Sequence, residues 1–174
     1  MTTTINAKAL SQIQYTFRDQ NGLQTTQSSD TSANSSDYTY GTGNLQVNSI
    51  VKTTGVIASG SSISLNFNSY PFILLNGSGN ITFSKIKSIV VNNTSTSSGI
   101  DLNVRATGAN AATGFFNTGS GNLLIKPYSS FIYNDPFDGV NVSTGYRLQI
   151  HNVSTASGST SGIASYEITV MGIK

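Results

Sequence analysis

"KIKSIVVNNTSTSSGIDLNV", residues 85–104, is the stretch on which the fold turns. It opens with the branched residues Ile86, Ile89, Val90 and Val91 and runs into Asn92 and Asn93. A Ser/Thr run and Gly99 follow. Then Ile100, Leu102 and Val104 alternate with Asp101, Asn103 and Arg105. A period of two marks a strand with one face buried, and Asn, Gly and Ser are turn formers. The passage therefore reads strand, polar turn, strand.

The same grammar extends both ways. "NLQVNSIVK" (44–52) sets Leu45 and Val47 against Gln46 and Asn48, and "SISLNFN" (62–68) puts Ile63, Leu65 and Phe67 on one face. "YPFILLNGSGNITF" (70–83) reads as two apolar runs around a glycine turn. "NLLIKPYSSFIYNDP" (122–136) carries Leu123 and Ile125, a turn at Pro127, then Phe131 and Tyr133. "GVNVS" (139–143) and "GYRLQIHNVS" (145–154) follow, the second with Tyr146, Leu148 and Ile150 in phase. After a Ser/Gly loop at 154–162, "ASYEITVMGIK" (164–174) sets Tyr166, Ile168 and Val170 in phase. About nine or ten short strands with turns between them predict an all-β antiparallel sandwich. The form favoured is jelly-roll-like; other Greek-key orders stay open, because periodicity does not fix strand order.

The N-terminal part reads differently. Residues 1–9 are polar and predict an extended arm, and "LSQIQYTFR" (10–18) alternates with Ile13, Tyr15 and Phe17 on one buried side. Residues 19–37 have almost nothing to bury and predict a long loop, either without fixed order or ordered by a neighbouring chain. The division is thus 1–37 (arm, first strand and polar loop) and 38–174 (one β-sandwich domain).

Composition agrees. The 174 residues suit one domain, and only 9% are charged against about 25% in a typical soluble domain. Ser, Thr, Asn and Gly fill the gap, which disfavours helices. The net charge of +2 comes from scattered cations, so no stripe exists to neutralise a row of phosphates, and nucleic acid is excluded as a direct partner. With no cysteine there is no thiolate metal site, and no apolar run has membrane-spanning length. No apolar core of a signal peptide follows Met1, which points to synthesis in a cytoplasm. The sequons at Asn76, Asn80, Asn93, Asn141 and Asn152 are what chance gives in so Asn- and Ser-rich a chain.

Motifs for chemistry are thin. Gly-x-Gly-Asn recurs at 41–44, 77–80 and 119–122. It lacks the third glycine and following helix of a dinucleotide fingerprint and the Gly-Lys-Ser/Thr of a P-loop, so each copy reads as a turn. His151 is the only histidine and reads as a surface residue, since no G-x-S-x-G elbow accompanies it. Asp135 and Asp138 in "NDPFDG" have oxygens for a cation but sit in turn-forming sequence. Lys85 and Lys87 alternate with Ile86 and read as solvated charges on a sheet edge. "YTY" (38–40), "SYPF" (69–72) and "GFFN" (114–117) place aromatics near loops, where they either bind sugars or partner chains or cap the ends of a sandwich. No catalytic, cofactor or metal site is assigned.

From about residue 80 onward the chain resembles small β-sandwich structural proteins of tailed bacteriophages. The matching pieces are Asn92–Asn93, Pro127 to Phe131, Pro136 to Val142, Asn152 and Gly172, with Pro-Tyr-Ser-Ser at 127–130 where Pro-Gly-Gly would be expected. The resemblance implies a virion component without catalysis, a capsid cement or decoration protein or a minor head or tail protein. Such a protein would form a homo-oligomer, with a trimer favoured, and would contact a major capsid protein or other virion proteins. The alternatives are a receptor- or carbohydrate-binding module of a fibre or spike and a shell-forming single jelly-roll capsid protein.

Overall fold

The computed structural model of the chain describes residues 4–21, 24–74, 77–116, 121–154 and 162–174, with the backbone alone in 15–30 and 72–78. The strands, in chain order, are β1 (Asn6–Asn21), β2 (Gln24–Tyr40), β3 (Gln46–Val47), β4 (Ser49–Ile57), β5 (Ser62–Asn66), β6 (Tyr70–Leu74) and β7 (Gly77–Ile81). There follow β8 (Lys85–Asn93), β9 (Leu102–Arg105), β10 (Asn122–Ile125), β11 (Ser130–Asn134), β12 (Val140–Asn141), β13 (Arg147–Asn152) and β14 (Ala164–Ile173). Among the described residues the only helical element is one 3-10 turn, Thr113–Phe115.

The protein is all-β and sandwich-like. One sheet has the order β11-β8-β14-β4, with β12 also paired to β8. The other has the order β10-β9-β13-β5. Four antiparallel pairs are nested in the sequence: β4 with β14, β5 with β13, β8 with β11, and β9 with β10. Ile89, Val91, Ile168 and Val170 from the first sheet share a core with Leu102, Val104, Leu148 and Ile150 from the second. Burying each such side chain contributes about 1.5–3 kcal/mol. Phe67 stacks on Tyr70 at 6.0 Å, and Phe115 meets Tyr133 edge-on at 5.2 Å.

Alternation found this body correctly, but the N-terminal reading needs correction. The loop expected over 19–37 is strand at 19–21, the end of β1, and from 24 on, in β2, which pairs antiparallel with β1 from Asn6↔Thr39 to Asn21↔Gln24. The 16 residues of β1 span about 50 Å at ~3.3 Å each. A ladder of backbone hydrogen bonds needs no buried face, and Ser and Thr tolerate extended backbone. Nor does Ile13 mark a buried side: it is 69% exposed. The side chains of Tyr15 and Phe17 lie outside the description.

One turn assignment also changes. Gly-x-Gly-Asn at 41–44 is a turn, with Gly41 at φ 152° and the Gly43 N–H donating to Gln46 Oε1 at 2.9 Å. The copy at 77–80 instead lies inside β7, paired to β6. The third copy lies partly outside the described residues, and its Asn122 opens β10.

Candidate functional site

His151 sits on β13 opposite Ser62 of β5. Its Nδ1 is 2.9 Å from Ser62 Oγ and 3.0 Å from the Ser61 carbonyl oxygen. A carbonyl oxygen only accepts, so this contact makes Nδ1 the proton donor. A protonated Nδ1 cannot take the Ser62 proton, and the pair serves to tie the two strands together.

The 135–138 turn is built around Asp135, whose Oδ1 accepts the N–H groups of Phe137 at 3.2 Å and Asp138 at 3.1 Å. Lys87 is not the solvated edge charge that alternation suggests. It is buried, and its ammonium donates to the Phe137 carbonyl and, at 3.5 Å, to that of Pro136. Burial, and then Lys85, push its pKa down, while Asp135 and Asp138 oppose the shift. Gly139 closes the turn at φ 69°, and a Cβ there would lie 2.9 Å from the Ile86 carbonyl oxygen. Among the described residues no group of three or more His, Cys, Asp or Glu converges as a metal site would require.

The root of the long hairpin is anchored by chemistry that the loop reading missed. Ala9, Tyr38 and Val47 pack with Met171 in a second small core. The Tyr38 hydroxyl donates to Asn134 Oδ1 at 2.5 Å, and Asn134 Nδ2 donates to Ser36 Oγ at 3.0 Å. Burial, and then the Asp135 charge, push the Tyr38 pKa up to about 12. Beyond this root, residues 10–14 and 31–35 are exposed on both faces of the ribbon.

On the other side of the first sheet, β4 is an edge strand. Beside it lies a groove of about 850 Å³, with Ile5, Ile50, Val51 and Ile81 as its apolar lining and Lys52 and Lys174 as its cations. Lys52 is also held 2.7 Å from Glu167.

The sequons divide by burial. Asn93 and Asn152 are buried, and their amides bond carbonyls: Asn93 those of Ile100 (2.8 Å) and Ile125 (3.0 Å), Asn152 those of Ile57 (2.8 Å) and Gly162 (2.6 Å). Asn80 and Asn141 are exposed, and Asn76 lies outside the described residues. The loop aromatics are mostly caps: Tyr38, Tyr70 and Phe115 are buried, and Phe116 stacks on Phe131 at 6.0 Å. Tyr40, Tyr128 and Phe137 remain exposed.

Comparison with known proteins gives no matching family model and no match among curated proteins. The features that can meet a partner are therefore read from geometry: a projecting ribbon, a free sheet edge and an apolar groove.

Proposed function

We propose that the chain is a non-enzymatic structural subunit of a virus particle, a capsid cement or decoration protein that stabilises a shell through contacts between subunits. The observation that carries the reading is strand order. Counting β4, β5, β8, β9, β10, β11, β13 and β14 as one to eight, one sheet runs 6-3-8-1 and the other 5-4-7-2. The nesting 1-8, 2-7, 3-6 and 4-5 supports reading the body as a single antiparallel ribbon rolled around a core, in the manner of the jelly rolls of viral capsid and lectin domains. Fold alone does not decide between those two uses. The projecting hairpin favours assembly, because a ribbon of two strands gains stability when a neighbour covers it. The low charge adds support, since it spares densely packed copies mutual repulsion.

The body would associate as a homo-oligomer, with three copies favoured, on a major capsid protein. The same order also supports the second reading, a subunit that closes a shell by itself. Sedimentation of the purified protein with and without empty capsids separates these cases. Decoration predicts a small oligomer that co-sediments with capsids; shell formation predicts closed particles of the protein alone. A protein that remains monomeric and binds no particle overturns both. A receptor- or carbohydrate-binding module would instead use Tyr40, Tyr128 and Phe137, and binding on a glycan array lost in Tyr128→Ala would favour it.

A further inference from the structure

We propose that the free edge of β4 and its groove receive the β1–β2 hairpin of a second copy, so that copies join head to tail. This rests on the assembly reading above and adds to it the surface and the occupant.

The edge is ready for pairing. Among the described residues β14 is the one strand that β4 pairs with, so alternate backbone N–H and C=O groups along its outer side, up to the Ile57 carbonyl that Asn152 holds, face away from the ladder. Its nine residues run about 30 Å at ~3.3 Å per residue, and the stretch from Ser49 to Lys52 borders the groove. Val56 on this strand is 64% exposed and Ile50 is 40% exposed. An added strand takes its affinity from the backbone ladder and its specificity from the pockets alongside.

The hairpin of the same molecule cannot reach that edge. The chain passes the groove at Ile5, crosses over β14 where Ala9 and Tyr38 meet Met171, and then runs past Ile132 and Asn134 of β11 at Leu10, Ser11 and Asn34. β11 and β4 are the opposite ends of this sheet. The ribbon therefore leaves on one side, and the vacant edge faces the other.

A second copy fits what the groove offers. The distal ribbon has unpaired outer edges of its own, and Leu10 and Ile13 present apolar side chains to solvent. Between residues 11 and 34 the sequence holds Asp19 and Asp30 against Arg18, while the groove lining holds Lys174 and also Lys52, whose charge Glu167 already shares. A contact between two different surfaces is heterologous, and such contacts close into rings when the rotation permits. Three copies would make a ring with every β4 edge covered.

Complementation in analytical ultracentrifugation of the full-length chain tests this. Ile13→Asp spoils the ribbon and Ile50→Asp spoils the groove; circular dichroism and melting check that each is folded. Wild type is expected to sediment as the oligomer and each variant as the monomer. The equimolar mixture keeps one good ribbon and one good groove, and should sediment at twice the monomer mass. If Ile50→Asp melts early, Val56→Asp on the same edge replaces it. An oligomer that survives the β4 substitutions overturns the inference but leaves the assembly reading standing. Monomeric variants with no recovery on mixing also overturn it, since the ribbon would then meet another ribbon. A monomeric wild type removes both.

Discussion

Tyr38 joins the ribbon to the body, and its environment makes that joint sensitive to pH. The phenol pKa is about 12 in the folded chain against 10.0 for an ordinary tyrosine. Between those values the folded state holds more protons than the unfolded one, so stability falls as pH rises. The contribution is complete below pH 10 and is lost by about pH 12, on the order of 1–2 kcal/mol after allowance for screening. Tyr38→Phe removes this loss, and at neutral pH it costs about 1 kcal/mol because Asn134 Oδ1 loses its donor. Urea unfolding of both proteins at pH 7 and pH 11 measures the two effects. Lys87 acts with the opposite sign: its lowered pKa makes stability rise with pH up to the ordinary lysine value of 10.5. Neither environment was legible in the sequence. Alternation says which side of a strand Lys87 occupies, but the 135–138 turn that covers it lies about fifty positions further on.

At the scale of elements, strands that bury one face were legible and the exposed ribbon was not. Ile100, Leu102 and Val104 alternate because one side of their segment meets the core. β2 carries no such record over residues 31–35, which are exposed throughout. The usable signal was Asn21-Gly22, a strong hairpin dipeptide, at the point where the ladder closes on Asn21↔Gln24. Asn93 and Asn152 read from the sequence as chance sequons at strand ends, yet their work is to satisfy carbonyls in the core. Asn152→Ala leaves the Ile57 and Gly162 carbonyls without that donor and should cost about 2–3 kcal/mol. Thermal unfolding checks this, and a loss below about 0.5 kcal/mol would mean that water replaces the amide.

The whole molecule combines a closed core with open edges. Pairs such as β4 with β14 join the two ends of the body sequence, and no periodicity within either segment could reveal that order. The nested arrangement leaves β4, β5, β10 and β11 as sheet ends, and the ribbon departs beside β11. Natural proteins cover or blunt such edges. On the assembly we propose, neighbouring copies do so, with the ribbon as the connecting part and the sheets as the rigid body. Light scattering on a chain trimmed from residue 11 to residue 34, with Leu10 and Ser35 joined by Asn-Gly, tests this most directly; the two residues are cross-strand partners, so the root stays paired. The account predicts that the full chain is an oligomer and that the trimmed chain is a monomer with nearly the same melting temperature. A trimmed chain that keeps the oligomer mass would contradict it.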